Sequence, residues 1–438
     1  MIHLMIDGRP VTAAAGTSVL DAATAAGVRI PTLCHLPGKD PLTSCMVCLV
    51  RVNGQAKLSP ACAIRVAEGM RIESGTAEIR RARQAAIELL LSEHAGDCLA
   101  PCQHVCPAHM RIDRMLWHIA RSEFRQAAEV VKEHIPLPAT LGRICPELCE
   151  KGCRRAQHDG AVSICRLKRF VGDHDLASGS PVMPAMAPAT GWRVAIVGTG
   201  PAGLSAAYYL RALGYAVALH DAAEFPGGGM RFGVSAEVLP REVLEGEIDV
   251  LRRMGAEFHM GVRLAATSGA KAMTLGDLTG SFDAVLLACG PMDVATAQGL
   301  GLATAAKGVQ VDSATMQTSI AKVFATGAMV MPYRLAVRAV GDGHAAARSI
   351  DAFLQGRAAP AQGREFALRL GHLSDAELGV YLADASSAGR RPPSHPPTAA
   401  QALTADEAVR EAQRCLQCGC VKATSCSLRV LATELGAN

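Results

Sequence analysis

The 438 residues carry 44 Lys and Arg against 40 Asp and Glu, a formal charge of +4 that offers no polyanion a basic surface. Half the residues are apolar and only 4% aromatic, which fits an α/β protein of two to four domains rather than a reader of stacked bases. No apolar run reaches the roughly 18 residues of a membrane span, and Met1-Ile2-His3-Leu4-Met5-Ile6-Asp7 reads as a strand rather than a signal peptide, so a cytoplasmic protein is expected.

Sixteen cysteines are many for that compartment, where thiols stay reduced and clustered ones bind metal or do redox work. Residues 3–33 read as strand, Asp7-Gly8 turn, strand, and a helix from Ser18 to Ala26, the opening of a β-grasp domain. Cys34-x10-Cys45-x2-Cys48-x13-Cys62 follows. Such spacing brings four thiolates to one point, three of them from one loop, as a 2Fe-2S cluster needs, whereas structural zinc more often shows two short pairs. With the elements before it, the stretch 1–75 resembles the N-terminal ferredoxin domain of the large iron–sulfur subunit of respiratory complex I and of iron hydrogenases. That resemblance implies one 2Fe-2S cluster.

After a helix from about Ala77 to Glu93 come His94-x3-Cys98-x3-Cys102-x3-Cys106-Pro107 and Cys145-Pro146-x2-Cys149-x3-Cys153. Six cysteines cannot complete two four-ligand clusters. With Ser163-Ile164-Cys165-Arg166-Leu167-Lys168-Arg169-Phe170, residues 76–175 resemble the helical 4Fe-4S domain of the glutamate synthase small subunit and of dihydropyrimidine dehydrogenase. The resemblance implies one or two 4Fe-4S clusters on interleaved cysteines, with a non-cysteine ligand near the place that Lys168 occupies. The missing ligands have three candidate sources. They are His94, placed like the histidine of a complex I His-x3-Cys motif, Cys165, which reads equally as a small buried residue, and the C-terminal cysteines.

An Ala- and Pro-rich linker is expected over 176–191, then a domain over 192–357. Its strand Arg193 to Val197 runs into Gly198-Thr199-Gly200-Pro201-Ala202-Gly203, and a second strand ends at Asp221. Glycines there let backbone N–H groups approach a pyrophosphate at a helix N-terminus, with the acidic residue on the ribose. This motif alone leaves NAD and FAD open. Pro226-Gly227-Gly228-Gly229-Met230-Arg231-Phe232-Gly233 and the later strands before Gly290 and Gly327 resemble the flavoprotein domain of the glutamate synthase small subunit. That likeness implies FAD on Gly198, Gly200, Pro201, Ala202, Gly203, Asp221, Gly228, Gly229, Arg231, Gly233 and Gly327.

Two departures stand out. Ala328 replaces the family's Asp beside the flavin, and only residues 291–322 separate the two later strands, where the family inserts a nicotinamide-binding Rossmann domain. A single βαβ unit already takes about 30 residues, so the usual NAD(P)H site is absent. Gly341-Asp342-Gly343-His344-Ala345-Ala346 reads as part of a closing helix. A connector over 358–404, including a Pro-rich tract from Arg390 to Pro397, leads to a cysteine-rich segment over 405–438. There Cys415-x2-Cys418-x-Cys420-x5-Cys426 suits a further 4Fe-4S cluster, ligands lent to the second group, or zinc.

The expected architecture is multidomain α/β: a β-grasp 2Fe-2S ferredoxin, a helical 4Fe-4S domain, a Rossmann-like FAD domain and a short cysteine-rich end. No nucleophile–base pair is visible, and Cys289 lacks the second cysteine of a disulfide reductase, so no catalytic residue is assigned. The expected function is electron transfer between a catalytic oxidoreductase subunit and NAD(P)H or ferredoxin, with NAD(P)H bound by a partner or at a non-standard site. A glutamate synthase small subunit and a scaffold that has lost its flavin are the alternatives.

Overall fold

In the computed structural model, which describes residues 1–358, 366–383, 385 and 402–437, Asp7 and Gly8 take positive φ of 48° and 76°. That backbone closes the two-residue hairpin between β1 (Ile2–Ile6) and β2 (Arg9–Ala13). The Pro-rich tract from Arg390 to Pro397 lies outside the described residues. The chain divides into two compact units, Met1–Leu99 with Gly363–Gly371 and Gly419–Asn438, and Ala100–Gln362 with His372–Cys418.

In the first unit, β3 (Leu49–Val52), β4 (Leu58–Pro60) and β5 (Arg71–Glu73) complete a sheet in the order β2-β1-β5-β3-β4, with β1 and β5 parallel. Alternate residues Leu4, Ile6, Val11 and Ile72 face α1 (Val19–Ala25), whose Ser18 cap accepts the Asp21 amide at 3.0 Å. This is the β-grasp pattern. α2 (Ala77–Ser92) starts at the Thr76 cap and sends buried Arg83 to the Leu49 carbonyl, 2.7 Å away. Helix Ser427–Leu435 joins the same unit, packing Leu431 and Ala432 with Cys45, Val47, Ile87 and Leu91.

The second unit begins with short helices α3 (Pro101–Val105), α4 (Ile112–Ile119), α5 (Phe124–Lys132), α6 (Pro138–Ile144), α7 (Leu148–Lys151) and α8 (Ile164–Ala177). Ile112, Met115, Leu116, Ala128, Val131, Leu167 and Val171 fill the core between them. α6 and α8 meet backbone to backbone, because a Cβ at Gly172 would lie 2.3 Å from the Ala139 nitrogen. The stretch read as a linker is docked. Its first residues belong to α8, and Val182 is tied to a buried ion pair in which Lys132 and Asp175, 3% and 4% exposed, stand 2.5 Å apart. Lys132 also donates to the Val182 carbonyl, and Asp175 accepts the Val182 amide, each at 2.8 Å.

Lys132→Met leaves that carboxylate buried beside no cation. It is expected to cost about 3–5 kcal/mol, read as a lower denaturation midpoint of the full chain. Adding Asp175→Leu is expected to recover part of the loss.

The sheet that follows is wholly parallel: Val323–Ala325, Ala284–Leu287, β6 (Arg193–Val197), β7 (Ala216–Asp221) and β8 (Glu257–Met260), in that order. Val194, Ile196, Val217, Leu219 and Leu286 are buried, as parallel strands covered on both faces require. α9 (Pro201–Ala212), α10 (Gly229–Phe232) and α11 (Arg241–Arg253) follow the first two strands. Glu247 of α11 reaches back to α6, accepting the Ala139 and Thr140 amides at 2.7 and 2.9 Å, and burial pushes its carboxyl up to about 7. Residues 291–322 hold only the helix Val294–Gly299 and two short strand pieces besides loop. The GDGHAA stretch lies inside the helix Ala336–Leu354.

Candidate metal and dinucleotide centres

Fifteen of the sixteen cysteines, all but Cys289, gather in four sets. The first belongs to the first unit. Cys34, Cys45 and Cys48 come from the loop after α1, where Thr43 and Met46 take positive φ of 52°, and the β3–β4 hairpin returns Cys62 beside them. The Sγ atoms of Cys48 and Cys62 are 3.5 Å apart, and Cys62, pushed up by burial and by contact with Cys48, also feels Cys34 and Cys45, reaching about 12. Burial raises the Cys34 thiol too, but hydrogen bonds from Cys45 and Ser44 outweigh it and bring it down to about 7. All four expected residues therefore meet.

The second set lies in the other unit and joins residues far apart in the chain. Cys102 on α3, Cys153 after α7, and Cys415 and Cys418 after the helix Ala405–Ala412 line one cavity together with Asp113. Burial pushes the Cys102 thiol well up, and Cys415, Cys153, Asp113 and Cys418 add to the effect. Two buried arginines explain why the distant segment arrives there. Arg155 donates two 2.7 Å bonds to Asp159 and a third to the Arg414 carbonyl. Arg414 in turn donates to Asp159 at 3.0 Å, the Gly160 carbonyl at 2.8 Å and Glu411 at 2.9 Å, and Glu411 accepts the Ser163 amide at 2.8 Å. Asp159 is drawn down to about 2, chiefly by its bonds to Arg155.

The third set is Cys106, Cys145, Cys149 and Cys165. Cys145 caps the C-terminus of α6, Cys149 sits in α7, and Cys165 opens α8, where its sulfur contacts both of those thiols. Lys168, one turn along α8 and 3% exposed, feels the same four cysteines electrostatically. The fourth set, in the first unit, has three thiols. The Cys420 amide donates to the Cys98 carbonyl at 3.3 Å, Asp97 pairs with Gly419, and the Cys98 thiol, raised by burial, feels Arg429, Cys426 and Cys420. The Leu368 amide donates to the Cys98 sulfur at 3.4 Å. His94 follows α2, bonding the Leu91 carbonyl through its backbone.

The residues read in sequence as one segment over 405–438 are thus divided, Cys415 and Cys418 in one unit and Cys420 and Cys426 in the other. In sequence alone Cys165 reads equally as ligand or core residue, whereas the fold puts it in the third set with Cys145 and Cys149. Among the described residues, no group of three or more His, Cys, Asp or Glu side chains stands at the spacing of a single metal ion.

The dinucleotide cradle lies at the carboxyl ends of β6 and β7. Gly198 has φ 109°, and a Cβ there would lie 2.3 Å from the Ala288 carbonyl; one at Gly203 would fall 1.9 Å from the Gly198 oxygen. A Cβ at Gly200 would meet nothing within 4 Å, which leaves open space at the start of α9, where Pro201 has no N–H to spend. Asp221 is already engaged. It accepts the Thr199 amide and hydroxyl, both at 2.7 Å, and the Ala223 amide at 2.9 Å, so it braces the glycine loop as well as facing any ribose.

Gly228 backs onto Gly200, and the Gly227 amide donates to the Thr199 carbonyl at 3.0 Å, so the second glycine run is stitched to the first. Gly229 opens α10, and the Gly233 amide closes it on the Gly229 carbonyl. Arg231 bonds the Pro226 carbonyl at 2.6 Å and pairs with Glu245. Gly327, with φ 78°, faces Ala202 and the hydroxyl of Tyr333, which is hydrogen-bonded to Asp342. Cys289 lies apart from the four sets, its thiol pushed up to about 12 by burial.

Three family models match this arrangement. Residues 1–77 match the 2Fe-2S iron–sulfur cluster binding domain, residues 80–180 the dihydropyrimidine dehydrogenase domain II with its 4Fe-4S cluster, and residues 196–253 the NAD(P)-binding Rossmann-like domain. The chain is therefore a multidomain α/β iron–sulfur protein with a Rossmann-like dinucleotide domain, the combination that the resemblances implied. Its relatives include the NADPH-Fe(3+) oxidoreductase subunit beta of Geobacter sulfurreducens, 38% identical over 194 residues, which are 44% of this chain and 28% of that protein. The NADP(+)-dependent formate dehydrogenase subunit beta of Moorella thermoacetica is 33% identical over 212 residues, 44% of this chain and 29% of the relative. The NAD-dependent dihydropyrimidine dehydrogenase subunit PreT of Escherichia coli K12 is 35% identical over 208 residues, 46% and 49% of the two chains. The chain spans less than half the length of each of these relatives. Among the described residues no helix is long and apolar enough to cross a membrane.

Proposed function

We propose that this chain is the flavin and iron–sulfur electron-transfer subunit of a cytoplasmic, multi-subunit oxidoreductase, carrying electrons between a catalytic partner and NAD(P)H or ferredoxin. The observation that carries the reading is the sorting of fifteen cysteines into four sets, in a chain that also has an open glycine cradle at the ends of β6 and β7. In this reading Cys34, Cys45, Cys48 and Cys62 hold a 2Fe-2S cluster, and the second and third sets each supply the four thiolates of a 4Fe-4S cluster. Cys98, Cys420 and Cys426 supply three ligands of a further cluster, with His94 the candidate fourth.

The cradle fits FAD. The open space at Gly200 and the free N–H groups at the start of α9 suit a pyrophosphate, and Asp221 and Gly327 flank it. Tyr333 and Asp342 bring a polar pair near the position where Ala328 supplies none. Bound FAD exchanges two electrons with one partner and single electrons with clusters. This chain's residues bind it, orient it and fix the surroundings of the clusters.

The three relatives named above differ in the chemistry their names record but share a nicotinamide nucleotide. Residues 291–322 are too few for a second Rossmann domain, so that nucleotide is assigned to a partner subunit or to a non-standard site. The test is anaerobic purification with iron, sulfide, zinc and flavin measured on one sample, then EPR after NADH, NADPH and dithionite in turn. About ten irons or more with one FAD are expected. Reduction by NADH or NADPH alone would place the nicotinamide site on this chain, reduction by dithionite alone would place it on a partner, and two irons without flavin would sink the reading.

A further inference from the structure

We infer that the helix Ser427–Leu435 seats the first and fourth cysteine sets against one shared apolar core, so that an electron passes directly between the centres they hold. The inference rests on the cluster reading above and gives the first set its immediate neighbour in the relay. The step moves one electron: the fourth-set centre is oxidised as the first-set centre is reduced, or the reverse, with no bond made or broken.

Three segments converge on that core. Leu431 of the helix, Leu91 of α2 and Cys45 of the first set are buried in it, and Cys34 and Phe366 pack against it. Every residue of the fourth set is joined to the same core. Cys426 is the N-cap of the helix, so Leu431 stands about 8 Å along the axis from it. His94, the candidate fourth ligand, donates its backbone N–H to the Leu91 carbonyl at 3.0 Å, just past the end of α2.

Cys98 reaches the core through residues 366–368. Its amide donates to the Leu368 carbonyl at 3.1 Å, and its sulfur accepts the Leu368 amide at 3.4 Å. Phe366 is in turn laced to the helix, its amide donating to the Thr433 hydroxyl at 2.9 Å and its carbonyl accepting Arg429 at 2.6 Å. Cys420 is held to Cys98 by its amide. The far end of the helix is clamped as well. Arg29, in the stretch before Cys34, donates to both carboxylate oxygens of Glu434 at 2.9 and 3.0 Å, and Gln84 of α2 donates to the Gly436 carbonyl at 3.1 Å. All of these residues belong to the first unit. Close-packed side chains with few voids carry an electron over such a span better than solvent does.

The test is EPR of the anaerobic, cluster-loaded full chain, reduced with dithionite and then with europium(II), with the microwave power that saturates the 2Fe-2S signal as the readout. Two reduced centres held close together relax each other. In the wild type the first-set signal is expected to split, or to saturate only at several-fold higher power, once the fourth-set signal has appeared. Cys98→Ala and Cys426→Ala, which remove the fourth centre from two different segments, should both lower that power several-fold, and Cys289→Ala should leave it unchanged. A first-set signal of full intensity that saturates at the same power in the wild type and in both variants overturns the inference. If either variant also loses the first-set iron, the wild type decides, and a first-set signal unchanged in shape and saturation as the fourth-set signal grows in overturns it equally. A chain in which neither variant removes any signal, even after europium(II), has no fourth centre and fails at the cluster reading itself.

Discussion

Gly200→Val is expected to strip FAD from the chain while leaving its fold intact. Gly200 has φ −73° and ψ −175°, ordinary extended backbone, and a Cβ there meets no protein atom within 4 Å. Valine at this N-cap should cost no more than about 1 kcal/mol of stability. The branched side chain instead occupies the space into which a pyrophosphate must come to reach the α9 N-terminus. Flavin affinity is expected to fall at least tenfold, about 1.4 kcal/mol, measured as flavin per chain at matched iron content. Gly203→Ala is the contrasting case, because its Cβ would fall 1.9 Å from the Gly198 carbonyl oxygen and force the loop itself to move. That variant should lose both flavin and thermal stability. Full flavin retention in Gly200→Val would remove the nucleotide from this cradle.

The second large effect is expected at the C-terminal cysteines. Cys418→Ala and Cys426→Ala should each remove about four irons, but from different centres. The first variant should extinguish a signal that Cys102→Ala also extinguishes, and the second a signal shared with Cys98→Ala. The double variant should lose about eight irons, since the two residues lie in different units. Were Cys418 and Cys426 instead to serve one site of their own, both single variants would erase the same signal and the double would lose no more than either. Cys289→Ala, outside all four sets, should leave the iron content unchanged.

Much of this was legible where the determinants are local. Asp7-Gly8 specifies a hairpin because both residues tolerate positive φ, Ser18 and Thr76 mark helix starts through their caps, and the glycines from Gly198 to Gly203 mark a close approach. The spacing of Cys34, Cys45, Cys48 and Cys62 could be read because one loop and one hairpin bring them together. The partition of the other cysteines could not, because it depends on side chains hundreds of residues apart. Arg155 and Arg414 look like ordinary surface arginines in sequence, yet their shared bonds to Asp159, together with Glu411 on the Ser163 amide, deliver Cys415 to Cys153. Cys165 was ambiguous for the same reason. A buried thiol and a thiol in a ring of four have identical local sequence, and only the contact of α8 with α6 and α7 distinguishes them. Asp221 shows the limit differently, since its position was expected but its bonds to Thr199 were not.

The division of the last cysteines between the two units also bears on maturation. A ribosome making this chain releases the first and third sets complete, one before α2 and the other by α8. The second and fourth sets each wait for residues after the helix Ala405–Ala412. Cluster insertion therefore has an inherent order on the proposed ligand sets, with two centres that can be filled on the nascent chain and two that are only half-built until its distal end has emerged. A prematurely terminated product would keep its ferredoxin domain and one further centre, and would release an electron carrier cut short of its full relay.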